Sequence, residues 1–88
     1  MRVFLSDSVK ALNIPPAAIK ATVEAAVKPP GPEGKIFYQP ATLVLGDGTK
    51  VDIVVVRYLK PNPLQGAKRG DGALYLESEW DGVKNPLG

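Results

Sequence analysis

Few residues able to do chemistry occur in this 88-residue chain, and two types are missing altogether. The chain contains no Cys and no His. Thiol nucleophiles, the commonest general base and the usual ligands of a zinc site are therefore excluded. Catalysis would have to rest on carboxylates, Lys, Tyr or Ser, and none of these is clustered in a recognisable catalytic pattern. The sequence predicts a protein that is not an enzyme and has no cofactor, metal or small-molecule substrate.

Charged residues are segregated along the second half of the chain. The segment 57–69 carries cations without a single carboxylate, and the segment that follows carries carboxylates without a cation. The cations are Arg57, Lys60, Lys68 and Arg69, and the carboxylates are Asp71, Glu77, Glu79 and Asp81. Cations that neutralise phosphates, beside the Tyr58 ring for stacking, predict an anion-binding surface and make nucleic acid a possible partner. The alternative is that these charges only solubilise strand ends and loops.

Two aromatic residues are candidates for binding a protein partner. Tyr58 lies near the end of an apolar predicted strand, and Trp80 is the only Trp in the chain. Trp and Tyr are enriched among the residues that dominate binding energy at protein interfaces. The competing interpretation of Trp80 places its ring in the core, packed over an Ala-rich helix.

The elements that must position these residues are separated by nine Gly and nine Pro. Residues 15–27 form the main predicted helix, since the prolines at its start cost no hydrogen bond and apolar residues recur with helical spacing. A stiff Pro/Gly connector follows at 29–34. A shorter helical turn is possible at 8–12, after residues that commonly cap helices.

A β-hairpin is predicted from strands at 36–45 and 49–59 around Asp47-Gly48, a strong turn signal. The second of these strands is apolar on both faces, which predicts a central strand or one covered on both sides. A third strand is expected at 73–80, and residues 3–5 can form an edge strand. The fold class is therefore α+β: one main helix on a small, loop-rich antiparallel sheet. A small β-barrel with one helix is the alternative.

Length and charge predict one small domain over 1–88, with an exposed loop at 60–72 and a short tail at 82–88. No signal peptide or membrane span is evident, so we expect a soluble protein, cytoplasmic or part of an assembled particle. A domain this small gains from docking or self-association. We therefore expect a protein-binding or assembly module: an accessory or structural component of a complex, or an inhibitor, of possible viral or mobile-element origin. A nucleic-acid-binding module that uses residues 57–69 is the alternative.

Overall fold

The computed structural model describes residues 1–27, 30–31, 34–63 and 66–80 and shows an open four-stranded sheet with helices on one face. The elements in chain order are β1 (Val3–Leu5), α1 (Asp7–Lys10), α2 (Pro16–Ala25), β2 (Ile36–Val44), β3 (Lys50–Tyr58), β4 (Gly72–Leu76) and a 3-10 turn at Glu77–Glu79. The strand order is β1-β4-β3-β2. The α+β class is confirmed. The alternative of a small barrel is wrong, because the sheet does not close.

The sheet is mixed, which corrects the expectation of an antiparallel one. β2, β3 and β4 form an antiparallel meander, whereas β1 pairs in parallel with β4. The helices carry the chain from β1 at one edge across to β2 at the other. The meander then returns strand by strand until β4 lies beside β1. Its last strand runs in the same direction as β1, so this final pair is parallel.

The main helix begins at Pro16, where the missing N–H costs no helical bond. It ends at Ala25, two residues before the predicted end, because Ala26 has an extended backbone. Val27 therefore leaves the helical stripe and is exposed. The short helix α1 is capped by Ser6, whose hydroxyl accepts the Val9 N–H at 3.3 Å.

Both faces of the sheet are apolar. β3 lies between β4 and β2, and its residues Ile53, Val54, Val55 and Val56 are all buried. Alternation sends Ile53 and Val55 towards the helices, where they pack with Val23 of α2. Val54 and Val56 face the opposite side, which we call the distal face, and they pack with Tyr58, Tyr75 and Ala67.

The third strand of the meander is shorter than predicted. β4 stops at Leu76, and the predicted remainder of the strand is a 3-10 turn in which the Trp80 N–H donates to Leu76 and Glu77 carbonyls. Glu77 and Glu79 therefore do not alternate along a strand. The turn sends the chain back, so that the Trp80 ring reaches the distal face.

Some sequence predictions fall partly or wholly on residues that are not described. These are parts of the connector at 29–34 and of the loop at 60–72, and the whole tail at 82–88. Within the described part of the loop, Asn62 and Ala67 exchange backbone hydrogen bonds and Ala67 is buried. Among the described residues, no helix is long and apolar enough to cross a bilayer.

Candidate functional site

The fold gathers the predicted cations at one end of the sheet. β3 finishes at Tyr58 and β4 begins at Gly72, so the connection between them lies at the end where β2 also starts. The Lys35 carbonyl accepts N–H groups from both Leu59 and Lys60, and Gly70 donates to the Tyr58 carbonyl at 2.8 Å. We call this region the basic end; its cations are Arg2, Lys35, Arg57, Lys60, Lys68 and Arg69.

Arg57 differs from the other cations because its guanidinium is already bonded within the protein. Nη1 donates to the Val23 carbonyl at 2.9 Å, and Nη2 donates to the Gly70 carbonyl at 3.1 Å. The third nitrogen, Nε, is buried, and no acceptor for it lies in the described part of the chain. Val23 lies in the last turn of α2, whose carbonyls attract cations. The geometry therefore favours a tethering role for Arg57, between helix and loop, over a free anion-binding role.

The remaining predicted cations are exposed but do not converge on one pocket. Arg69 lines a depression of about 340 Å³ with Arg57 and Phe37, on the helix side. Lys60 lines a second cleft of about 350 Å³ with Lys35 and Tyr58. Lys68 lines neither of these two cavities. The structure thus brings the cations to one end of the molecule without building a single cavity from them.

A buried carboxylate organises this end. Asp71 Oδ1 accepts the Arg2 N–H at 3.0 Å, and Oδ2 accepts the Lys68 N–H at 2.9 Å. Burial raises the pKa of Asp71, but the two N–H donors and the positive charges of the amino terminus and Arg2 outweigh it, so the pKa lies below its usual value. Asp71 is therefore ionised at neutral pH and holds the cation-bearing loop against the start of β1.

The opposite end of the sheet is acidic. It contains the β2–β3 turn, the start of β3 and the 3-10 turn after β4. Its carboxylates are Asp47, Asp52, Glu77 and Glu79, and the same described segments contain one cation, Lys50. We call this region the acidic end. An open groove of about 620 Å³ runs between β3 and the 3-10 turn here, lined by Lys50, Asp52 and Glu77 among others.

Tyr58 is in the core. Its exposed fraction is 1%, and its ring packs edge-on against Phe4 at 6.4 Å between centroids. A partner could reach this ring only after the surrounding residues had moved. The structure therefore offers Tyr58 as a packing residue beneath the basic end, without an exposed face for stacking.

Trp80 lies on the distal face, so the expectation that it packs over the helix is wrong. Its ring centroid lies 5.0 Å from that of buried Tyr75, with the two planes tilted by 33°, and 5.5 Å from that of Tyr38. Tyr38 is 51% exposed. We call the adjoining rings of Tyr38 and Trp80 the aromatic surface. The indole N–H of Trp80 is buried and has no acceptor among the residues that the structure describes.

Sequence reasoning missed Tyr38, although a signal was present. In Ile36-Phe37-Tyr38 the apolar residues do not alternate with polar ones, so a large ring must lie on each face of this strand. The aromatic surface and the two charged ends are features suited to contact with another macromolecule. No family model, curated protein or solved structure matches this chain.

Proposed function

We propose that this chain is a non-enzymatic protein-binding module that docks on a partner through the aromatic surface. The observation that carries the proposal is the pair of adjoining rings, Tyr38 and Trp80, on a sheet face that no described helix covers. Trp and Tyr side chains supply much of the binding energy at protein interfaces. A partner that covers both rings buries their apolar area. The two rings already adjoin in the free chain, so this surface is formed before binding.

Preorganisation strengthens this interpretation. Tyr38 lies within β2, paired with Val56, and the Trp80 ring packs at a tilt against Tyr75, which is completely buried. Rings held in this way lose little conformational entropy when a partner binds, which leaves more of the contact energy as affinity.

The open edge of β2 is a less suitable docking element than this face. Leu45 donates to the Thr49 carbonyl at 2.8 Å. Hydrogen-bonded and non-hydrogen-bonded residue pairs alternate along β2 and β3, so Pro40, opposite Val54, is in a non-hydrogen-bonded pair. The place of the missing Pro40 N–H therefore faces the outer edge. The row of backbone N–H donors along this edge is therefore interrupted at its centre. The pyrrolidine ring of Pro40 would also obstruct the facing carbonyl of a partner strand.

Quantitative pull-down with the full chain as bait tests the proposal. Tyr38→Ala and Trp80→Ala are compared with Val44→Ala, a matched control because Val44 is an exposed apolar residue of the same strand and face. We expect the wild type and Val44→Ala to bind a partner with equal affinity. Tyr38→Ala and Trp80→Ala should each lose about 2 kcal/mol of binding free energy, roughly thirtyfold in affinity. Circular dichroism checks that the variants fold. Equal retention of every bound protein by wild type and Tyr38→Ala would contradict the proposal.

Nucleic-acid binding is the second candidate function, favoured by the concentration of cations at the basic end. Exposed Lys35, Lys60, Lys68 and Arg69 can contact phosphates. Stacking is not supported there, since Tyr58 is buried. Retention on immobilised duplex DNA at low salt is the test; a chain that is not retained lacks this function.

A further inference from the structure

The two charged ends of the sheet form a complementary pair. Among the described residues, the basic end carries six cations and one carboxylate, the buried Asp71, for a net charge of +5. The acidic end carries four carboxylates and Lys50, for a net charge of −3. The whole chain has a net charge of only +2. Its modest net charge therefore conceals a strong separation of charge along the strands.

Topology produces this separation. The basic segment connects the end of β3 to the start of β4, and the acidic turn follows the end of β4. A strand of nine residues such as β3 spans about 30 Å. That distance is several Debye lengths at physiological salt, so the two ends do not neutralise each other within one molecule. Each end is free to act on a second molecule.

We propose that this chain associates head to tail with further copies of itself, the basic end of one molecule against the acidic end of the next. The groove beside Asp52 and Glu77 is open, and its two carboxylates can accept a Lys or Arg side chain from the neighbouring copy. Lys60 and Lys68 are exposed and supply such side chains. The contact joins different surfaces of identical chains, so it propagates into a row of molecules or closes into a ring.

A second copy fits both ends, whereas a nucleic acid uses only one of them. Nucleic acid would leave the acidic groove without a role, and the basic end presents no exposed aromatic ring for base stacking. The head-to-tail contact does not use the aromatic surface, because Tyr38 and Trp80 lie on the distal face between the two ends. The protein-binding proposal and this one can therefore fail separately.

Charge reversal at each end, followed by mixing, tests the association. Lys60→Glu with Lys68→Glu makes the basic end acidic, and Asp52→Lys with Glu77→Lys makes the acidic end basic. Sedimentation velocity on the full chain should show a wild-type mass that rises with concentration at low ionic strength and falls to the monomer at about 1 M salt, where the Debye length is about 3 Å. Each double variant alone should associate at least tenfold more weakly than the wild type. An equimolar mixture of the two variants should regain association, because opposite charges again face each other.

The control is Lys10→Glu with Lys20→Glu, an equal change of charge on the exposed surface of the helices, which should self-associate like the wild type. A wild-type chain that stays monomeric at low salt overturns the proposal, and so does wild-type-like association of both double variants. Two variants that fail to associate when mixed also overturn it, provided that circular dichroism shows both folded. A monomeric wild type that binds duplex DNA, and loses that binding with Lys60→Glu and Lys68→Glu, assigns the basic end to nucleic acid.

Discussion

At the level of single residues, Asp71 links parts of the chain that are distant in sequence. Its carboxylate accepts the N–H of Arg2, 69 positions away, and that of Lys68, three positions away. The Gly72 N–H donates to the Arg2 carbonyl beside it at 2.9 Å. One buried carboxylate thus fixes the first strand to the basic loop. Both of its oxygens are occupied, so the amide of Asn cannot reproduce the arrangement.

Asp71→Asn should reduce the free energy of unfolding by about 1–3 kcal/mol, because one N–H loses its acceptor and meets an amide donor instead. Urea denaturation at pH 7 measures this loss. Asp7→Asn is the control, since Asp7 is exposed and no side-chain hydrogen bond is assigned to it among the described residues. Equal stability of Asp71→Asn and the wild type would show that the carboxylate does not anchor the loop.

The same carboxylate makes stability depend on pH. The pKa of Asp71 in the folded chain is lowered from an ordinary value of 3.8, so its ionised form stabilises the fold. This contribution is complete above pH 3.8 and is lost as the pH falls through the folded pKa. As the pH falls through this acid range, the unfolding free energy of the wild type should therefore decrease more than that of Asp71→Asn. Plotted against pH, the unfolding free energies of the two proteins should converge.

At the level of elements, β2 is an edge strand that is protected by its own sequence. Because Leu45 and Thr49 form a hydrogen-bonded pair, every second residue of β2 directs its backbone polar groups away from β3, towards the open edge. These residues are Ile36, Tyr38, Pro40, Thr42 and Val44. Two of these, Tyr38 and Val44, are exposed large hydrophobic residues. A nine-residue edge with such residues invites pairing with another chain, and the central proline blocks it.

Pro40→Thr should promote edge-to-edge association, because it restores the central N–H and removes the ring that obstructs a partner strand. Light scattering at high salt measures the effect, since screening suppresses contacts between the charged ends. Pro61→Thr, in the exposed connection after β3, is the control. A Pro40→Thr chain with the same mass as the wild type at all concentrations would argue against this protective role.

Gly72 sets the distance between α2 and β4. A Cβ built at this glycine would lie 2.6 Å from Val23 Cγ1 and 3.2 Å from the Val56 carbonyl oxygen. Gly72→Ala should therefore cost about 1–3 kcal/mol of unfolding free energy, as overpacking does. Gly46→Ala is the control, because nothing lies within 4 Å of the added methyl. The double variant Gly72→Ala with Val23→Ala should lose less unfolding free energy than the sum of the losses of the two single variants, since the clash with Val23 is gone. Strict additivity would contradict the close approach.

At the level of the whole molecule, the antiparallel return of β3 and β4 converts segregation along the sequence into segregation in space. Cations that precede β4 and carboxylates that follow it are carried to opposite ends of the sheet. We propose self-association from this arrangement; for the alternative, the binding of a polyanion, the salt dependence of DNA binding measures how many cations contact phosphates.

Lys68→Ala with Arg69→Ala should lower the slope of log affinity against log salt by about 2 for duplex DNA, because each cation in contact with phosphate releases about one counterion. Fluorescence anisotropy across a salt series measures the slope. Lys10→Ala with Lys20→Ala, on the exposed surface of the helices, is the control and should leave it unchanged. An unchanged slope for the first pair would show that residues 68 and 69 do not contact the phosphates.

Local patterns in the sequence were sufficient for the elements that depend on short-range chemistry. Prolines and helical spacing located α2, and alternation of Val51, Ile53 and Val55 located β3. Two apolar faces on residues 53–56 predicted the central position of β3. The division of charge between 57–69 and the residues after it was visible without a fold.

Tertiary structure alone decided where these features lie relative to one another. The parallel pairing of β1 with β4 joins residues about 70 positions apart, and no local pattern encodes it. Arg57 is a residue type that commonly binds anions, but its guanidinium donates to the carbonyls of Val23 and Gly70. Tyr58 and Trp80 were equal candidates in the sequence; packing buried the first and placed the second beside Tyr38. The reason is physical: residue type sets what a side chain can do, whereas long-range packing sets whether solvent or a partner can reach it.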